Sequence, residues 1–579
     1  MCGFCGFYGL GSSEEAPARI ERMVRTLSRR GPDAEGIHLG EGVALGHRRL
    51  SILDLSETGA QPMSLQAPHV TITYNGEIYN FRELRRSLQA EGRVFRGRSD
   101  TEVILHAYAA WGLNGLRRLE GIFAFALWDE AARQLLLMRD RFGVKPLFYS
   151  RNGRSIAFGS EIKAVLAAGA VDRTIDPQAL AEYFWYGNAF EDRTLYQAVR
   201  AVPPGHWMIV QDGAAQIAPW WRVEEWLQSR RAFQSVDEAS VAVREALDNA
   251  VSRQLVSDVP VGIFLSGGVD SSAIAASAAR ASTQRLSSYS VGFDFDRGVN
   301  ELPKARRVAT LLDLDHHELR VSATDLQEVL LDLVRAHDEP FADAANIPLF
   351  LLARALRGTV KVVLQGDGGD EMFAGYRRYS MLRHAHMWQA LPKFLSNVAR
   401  ATLGRRGERF ARMSNATGAS DPAMRMALLL TLETLHDPPI GVLQPDVRRE
   451  LESASDPFLA YRRCAERFSA RDPVQQMLLT DITLQLPAQF LAKVDRATMA
   501  QSIEARVPLL DERVTEIAVG MPTAYKVRGG QKKIVLREAM RGRLPDDVLD
   551  GPKTGFGVPY EHWLRSSLYD FATRSSTGG

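Results

Sequence analysis

Cysteine is scarce: Cys2, Cys5 and Cys464 are the three in a chain of 579 residues. So few, so unevenly placed, they exclude a disulfide framework and point to a reducing compartment, with the cytoplasm as the expected location. An excess of one charge is also lacking. Lys and Arg number 71 against 69 Asp and Glu, a net charge of +2, so no global field favours nucleic acid or an acidic membrane, and neither is expected as a partner. No apolar run approaches the ~18 residues of a membrane span, and the opening MCGFCGFYGL has no basic-then-apolar order of a secretory signal. What remains, 45% hydrophobic and 24% charged residues, is the composition of a soluble globular protein. At ~150 residues per domain the length implies two to four domains.

Up to about residue 210 the chain reads as short strands broken by glycine. GFCGFYGL, GVALGHRRLSIL, HVTITYNGEIYN, GIFAFALWD, QLLLMRD, PLFYS and SIAFGS have the alternation and the β-branched or aromatic content of strands. Helical spacing appears at Phe81 to Ala90, Thr101 to Trp111 and Ile162 to Ala168. Runs of strands with few helices predict an α+β layered domain. The turn-rich, then aromatic, stretch from Val202 to Arg222 reads as a seam. After about residue 240 strands and helices alternate, which predicts an α/β doubly wound parallel sheet, and from about 385 onward the pattern is mostly helical. The expected division is residues 1–215 and residues 235–579.

Cys2 is the most informative residue. Trimming of Met1 would place a thiol and a free α-amine on one residue, and an amine with a pKa near 8 is basic enough to activate its own nucleophile. The bland alternative is a buried structural cysteine. A thiol attacking an amide needs an oxyanion hole, and Asn75-Gly76, in the turn-like TYNGEIYN, offers a side-chain NH2 beside a backbone N–H. Arg49, Glu77 and Asp100 supply the charges that a zwitterionic substrate needs. Equally, Asn-Gly is a favoured hairpin turn, and Ser99 to Glu102 could simply cap a helix.

Farther on, an apolar strand ends in SGGVDSS (residues 266–272) and enters a helix. Glycines there allow close backbone approach to phosphate, and hydroxyls with a helix N-terminus supply donors; the loop lacks the GK[ST] ending of a Walker A motif. A second loop, Gln365 to Glu371, follows the apolar KVVL and would face the same crevice. Its acidic residues would repel a triphosphate unless Mg²⁺ intervened, which makes Asp270 and Asp370 the metal candidates. A capped turn for the first loop and a solvent-exposed turn for the second are the alternatives.

In combination, MCGFCGFYG, RGPD, HRRLSILD, NGEIYN, SDTE and RDRFGVKPLFY resemble the glutaminase domain of class II glutamine amidotransferases. The resemblance implies an N-terminal-nucleophile αββα fold in which Cys2 attacks the glutamine amide, releasing ammonia and leaving a thioester that water hydrolyses. It further implies that Arg49, with Leu50, Ser51, Ile52 and Leu53 beside it, holds the glutamine carboxylate. Asn75 and Gly76 would form the oxyanion hole, and Glu77 and Asp100 would hold the amino group. SGGVDSS resembles the PP-loop of ATP pyrophosphatases, and with QGDGGDEMFAGY, KVDRATMAQSIEARVPLLD and KTGFGVP it follows the order of the asparagine synthetase B family. That resemblance implies contacts from Leu265 and Val291 to adenosine, and from Ser266, Gly267, Gly268, Asp270 and Ser271 to pyrophosphate. Gln365 and Gly366 would line the nucleotide site, Asp367 would reach substrate or nucleotide, and Lys533 would stabilise the activated intermediate. ATP is then a co-substrate used with Mg²⁺, aspartyl-AMP forms, and ammonia tunnelling from the first site displaces AMP; a homodimer stays open.

The chain departs from that pattern in two places. Gln365-Gly366-Asp367 replaces the Ser-Gly-Glu of the best-known members, with Asp367 one methylene shorter, and His337 to Arg354 lacks their arrangement of Thr and Arg. Two other readings stand beside amidation of aspartate: amidation of another carboxylate, such as a sugar acid or a secondary-metabolite intermediate, and, as a different reaction class, lactam formation in which an internal amine closes the ring. The joint presence of Cys2, Arg49, Asn75 and Asp100 argues against the last, which has little need of glutamine.

Overall fold

The computed structural model describes residues 2–10, 14–169, 171–228, 233–293, 301–389, 392–431 and 439–551, together with 563, 565, 566, 568–571 and 573. The KTGFGVP motif and the Ser/Gly tail lie outside the described residues.

The glycine-broken strands of the first half form two six-stranded antiparallel sheets stacked face to face. Between them lies a dry layer in which Phe4, Leu45 and Phe158 meet Ala126, Leu137 and Met208. Helices Ala16–Thr26 and Ile162–Ala167 cover the outer face of one sheet. Phe81–Ala90 and Asp100–Leu116 cover the other. This is the αββα arrangement expected of an N-terminal-nucleophile domain. Coverage on both faces explains why Gly121–Asp129 is buried from Ile122 through Trp128 rather than on alternate residues.

Two segments differ from expectation. Asn75-Gly76 is no turn; it lies inside the strand His69–Ile78, with Asn75 opposite Ala124 and Gly76 opposite Phe123. A Cβ on residue 76 would stand 2.6 Å from the Phe123 Cα, so the glycine serves a close approach of two backbones rather than a reversal. The presumed seam is also structured. His206–Gln211 and Ala214–Pro219 form a hairpin on the edge of the second sheet, so this sheet runs past residue 215. The hairpin turns at Asp212-Gly213, both in the left-handed region with φ of 49° and 76°, the geometry for which Asp-Gly is favoured.

The second half carries a five-stranded sheet, parallel throughout, in the order 315–321, 287–293, 261–264, 362–364, 504–506. Chain order reverses between Val261–Phe264 and Val362–Leu364, the switch point where open α/β sheets form their crevice. Within the mostly helical part, residues 473–499 form three segments: α-helix Pro473–Thr480, a wide π-helical stretch Asp481–Leu491, and α-helix Ala492–Met499. Pro487, which cannot donate to the ladder, sits in the wide stretch. No helix among the described residues is long and apolar enough to cross a membrane.

The two halves meet at the amino ends of the parallel strands. Asp258, three residues before Val261–Phe264, donates its N–H to the Ile52 carbonyl at 3.0 Å. Lys361, just before Val362–Leu364, pairs through Nζ with Asp33 at 2.7 Å. These strands are only three and four residues long, at most about 13 Å at ~3.3 Å per residue. Their amino ends touch the first domain while their carboxyl ends carry the two glycine-rich loops.

Candidate active sites

Cys2 stands at the head of the strand Gly3–Tyr8 and is 8% exposed. Its nitrogen donates to Asn75 Oδ1 at 3.0 Å, its Sγ faces the Leu50 carbonyl at 3.9 Å, and its carbonyl accepts from Arg30 Nε at 3.2 Å. Burial pushes the thiol pKa up, so a nucleophile here needs a base, and the atom nearest to hand is the Cys2 nitrogen. With Oδ1 engaged, Asn75 Nδ2 is buried and has no hydrogen-bond partner. A buried, unmet donor costs about 1–3 kcal/mol, a cost that an oxyanion bound there would remove.

The other residues expected to bind glutamine lie on the segments that follow or flank these partners. Leu50 and Ile52 are buried against Val362 and Met499. Ser51 donates its N–H to Asp33 Oδ2 at 2.8 Å, and Leu53 is half-buried. Arg49 donates to the carbonyls of Ser56, at 3.0 Å, and of Asp54, so it braces the loop that follows it and keeps further N–H groups for a carboxylate. Asp100 Oδ2 accepts from the Tyr74 hydroxyl at 2.7 Å and the Ile78 N–H at 2.9 Å, and burial pushes its pKa up. The capping reading of Ser99 to Glu102 is also right: Ser99 Oγ accepts from the Glu102 N–H at the start of the helix. Glu77 pairs with Arg506 Nη2 at 3.0 Å; burial raises its pKa while Arg506 opposes the rise. Cys5 is fully buried among apolar side chains.

At the switch point of the parallel sheet lies a cavity of about 390 Å³. It brings together all nine residues named from the sequence for ATP, and with them Asp367, Asp370 and Lys533. Gly267, at φ +73°, lets the loop pass beside the helix Leu302–Leu311, where a Cβ would lie 2.7 Å from the Ala305 nitrogen and the Lys304 Cβ. Ser266 Oγ and Ser271 Oγ are 3.0 Å apart, and Ser266 Oγ accepts from the Gly268 N–H at 3.3 Å, which ties the loop into the first turn of Val269–Ala281. The second loop is anchored by the Gln365 N–H on the Arg506 carbonyl at 2.9 Å, and the Gln365 Oε1 is buried without a partner.

Charge in this cavity is crowded. Lys533 Nζ bridges Asp270 and Asp370, the latter at 2.6 Å. Burial works against its charge, yet the two carboxylates outweigh burial and hold the ammonium above its ordinary range. Burial pushes Asp367 up to about 6, against the pull of Lys493. Glu371 is likewise raised by burial and by Asp370, and it accepts from the Tyr376 hydroxyl at 2.6 Å.

Sequence reasoning missed the charged residues that join the two sites, namely Arg30, Lys493, Asp495 and Arg506. A signal was present in KVDRATMAQSIEAR: charges recur in a segment otherwise made of the small and apolar residues of a buried helix and strand.

Residues 1–221 match the family model described as a glutamine amidotransferase domain, and residues 242–577 match the model described as asparagine synthase. The chain is 33% identical to asparagine synthetase [glutamine-hydrolyzing] 1 of Bacillus subtilis, over 99% of this chain and 89% of that protein. It is 34% identical to a putative asparagine synthetase [glutamine-hydrolyzing] of Mycobacterium tuberculosis, over 98% and 89%. A more distant relative, amidase chry2 of Gibberella zeae, is 28% identical over 96% of this chain and 88% of its own length.

Proposed function

The chain belongs to the asparagine synthase family, and from that premise we propose that it converts aspartate, glutamine and ATP to asparagine, glutamate, AMP and pyrophosphate. It is an ATP-consuming amide synthetase that takes its nitrogen from glutamine. The observation that carries the glutamine half is the buried, unpartnered Asn75 Nδ2 beside Cys2.

After removal of Met1, the Cys2 amine takes the thiol proton, and Sγ attacks the side-chain carbonyl of glutamine. The developing oxyanion is met by Asn75 Nδ2 and the Gly76 N–H, a class of contact worth 10²–10³ in rate per donor. Collapse expels the amide nitrogen, which leaves as ammonia with the proton returned from the Cys2 amine, and water then hydrolyses the thioester to glutamate. Arg49 holds the glutamine carboxylate, while Glu77 and Asp100 offer negative charge to its ammonium. In the cavity, the Ser266–Ser271 loop takes the phosphates and Leu265 and Val291 flank adenosine. Lys533 offsets charge as the acceptor carboxylate attacks the α-phosphorus and pyrophosphate leaves. Ammonia then adds to the acyl carbon and AMP departs. An enclosed path suits this, because ammonia in neutral water is mostly protonated and not nucleophilic.

Asp270 and Asp370 fit a Mg²⁺ ion carried in with ATP: both carboxylates already converge on one cation, Lys533 Nζ. Among the described residues no three metal-ligating side chains meet, so phosphate oxygens and water would complete its shell, as is usual for this ion. The remaining ligands are small molecules. The balanced charge and scarce cysteines support a cytoplasmic enzyme without nucleic-acid or membrane partners, and a homodimer is its proposed assembly. The two functional domains are proposed as residues 1–215 and 235–579, the first extended to Pro219 by its edge hairpin.

The experiment is release of AMP and pyrophosphate with Mg-ATP and glutamine, comparing aspartate with a panel of other carboxylates. Aspartate-dependent AMP with matching asparagine is expected. Glutamate release with AMP formed only on another carboxylate would move the acceptor, and the departures at Gln365 and Asp367 are where that change would reside.

A further inference from the structure

Helix Ala492–Met499 is buried from Lys493 to Met499, yet three of its residues, Lys493, Asp495 and Arg496, are charged. They serve different places. Lys493 lines the nucleotide cavity and pairs with Asp343 Oδ2 at 3.1 Å. Arg496 lies 3.4 Å from Glu161 and 3.7 Å from Asp338. Asp495 turns toward the first domain, where its two oxygens accept from Arg30 Nη1 at 2.7 Å and Nη2 at 3.0 Å. Arg30 Nη1 also reaches Glu161 at 3.2 Å, and Arg30 Nε donates to the Cys2 carbonyl at 3.2 Å.

A planar guanidinium gripped at two nitrogens by one carboxylate has a single orientation. Here the grip comes from a residue 465 positions away, in the other half of the molecule. Once Met1 is trimmed, Cys2 has no peptide bond on its amino side, and a terminal residue frays unless contacts hold it. Its contacts are Asn75 on the nitrogen, Leu50 facing the sulfur and Arg30 on the carbonyl. Leu50 is packed from the synthetase half only by apolar contact, on Val362 and Met499, whereas Arg30 is held from that half by a two-nitrogen ion pair.

We propose that Asp495 is a positioning residue for glutamine cleavage: acting through Arg30, it sets the Cys2 carbonyl, and with it the thiol, against the Asn75 donor. The nucleophile is thereby aligned by the same helix that places Lys493 in the nucleotide cavity, so glutamine is cleaved efficiently only while the two halves are docked. The inference rests on Cys2 being the nucleophile.

The test is Asp495→Asn in the full chain, with glutamine-driven and ammonia-driven AMP formation and glutaminase kinetics measured on one preparation. The expected result is a fall of about 10²-fold in kcat for glutamine, with KM for glutamine and the ammonia-driven rate each within about threefold of the parent. Arg30→Lys is the companion variant: it keeps a cation between Asp495 and Glu161 but lacks the Nε donor, and the same selective loss in kcat is expected. It decides the matter if Asp495→Asn does not fold. A glutamine kcat within about twofold of the parent in a folded variant would overturn the proposal. So would equal losses of the glutamine and ammonia activities, the mark of a merely structural role. If instead the parent enzyme cleaves no glutamine, or Cys2→Ala still does, the nucleophile assignment itself falls.

Discussion

The two active sites sit at opposite ends of the same short strands and handle charge in opposite ways. Around Cys2, cations and anions alternate and are paired: Arg30 with Asp495 and Glu161, Arg506 with Glu77 and Glu504. What is left over there is a neutral donor, Asn75 Nδ2. In the nucleotide cavity carboxylates crowd together, with Asp270, Asp367, Asp370 and Glu371 sharing Lys533 and Lys493. The first site is preset for an uncharged amide that becomes anionic only in the transition state, which is where binding energy raises rate. The second is built for a polyanion that arrives with its own cations, and without them it stores repulsion.

The contrast predicts separable failures. The largest effect is expected for Cys2→Ala, which removes glutamine-driven synthesis by on the order of 10³-fold or more and leaves the ammonia-driven rate within a few-fold; steady-state AMP release with either nitrogen source checks it. Lys533→Met is expected to do the reverse. AMP formation falls by on the order of 10²–10³-fold while glutamate release persists, and a general loss of both activities would break the division. Asn75→Ala removes one oxyanion donor and should lower glutaminase kcat by about 10²-fold with little change in KM.

The smallest effect concerns stability. Asp367 has a native pKa of about 6 against the ordinary carboxylate value of 3.8. Between those two values the unfolded chain has lost the proton and the native state still holds it. Stability therefore declines as pH rises through this window, and a constant penalty remains above about pH 6. Asp367→Asn is expected to relieve that penalty, gaining about 1–3 kcal/mol near pH 7.5 and less near pH 4. Urea unfolding at the two pH values measures it, and an equal change at both would contradict the cause assigned here.

The fold was legible where local pattern and tertiary role agree. Phe81–Ala90 and Gly121–Asp129 fall where their spacing puts them, and the glycine-rich loops follow apolar strands as the PP-loop reading requires. Asn75-Gly76 misled because the local hairpin signal is strong, while the reason for Gly76 is a neighbouring strand some 45 residues on, at Ile122 and Phe123. The hairpin 206–219 was hidden because its first strand pairs with one far back in the chain, where Trp207 lies opposite Met138. Cys2 and Asn75 could be singled out as candidates from their chemistry. The clamp that holds them could not: Arg30 to Asp495 and Arg506 to Glu77 span 465 and 429 positions, and no local pattern encodes such a pairing.

The central claim is that ammonia made beside Cys2 is consumed in the cavity at the other end of the strands. Glutamine labelled with heavy nitrogen at the amide, supplied with Mg-ATP, aspartate and an excess of unlabelled ammonium, tests it most directly. The account predicts asparagine carrying the label, in amounts equal to the AMP and glutamate released. Asparagine whose amide nitrogen matches the unlabelled ammonium, or glutamate released with no AMP, would contradict it.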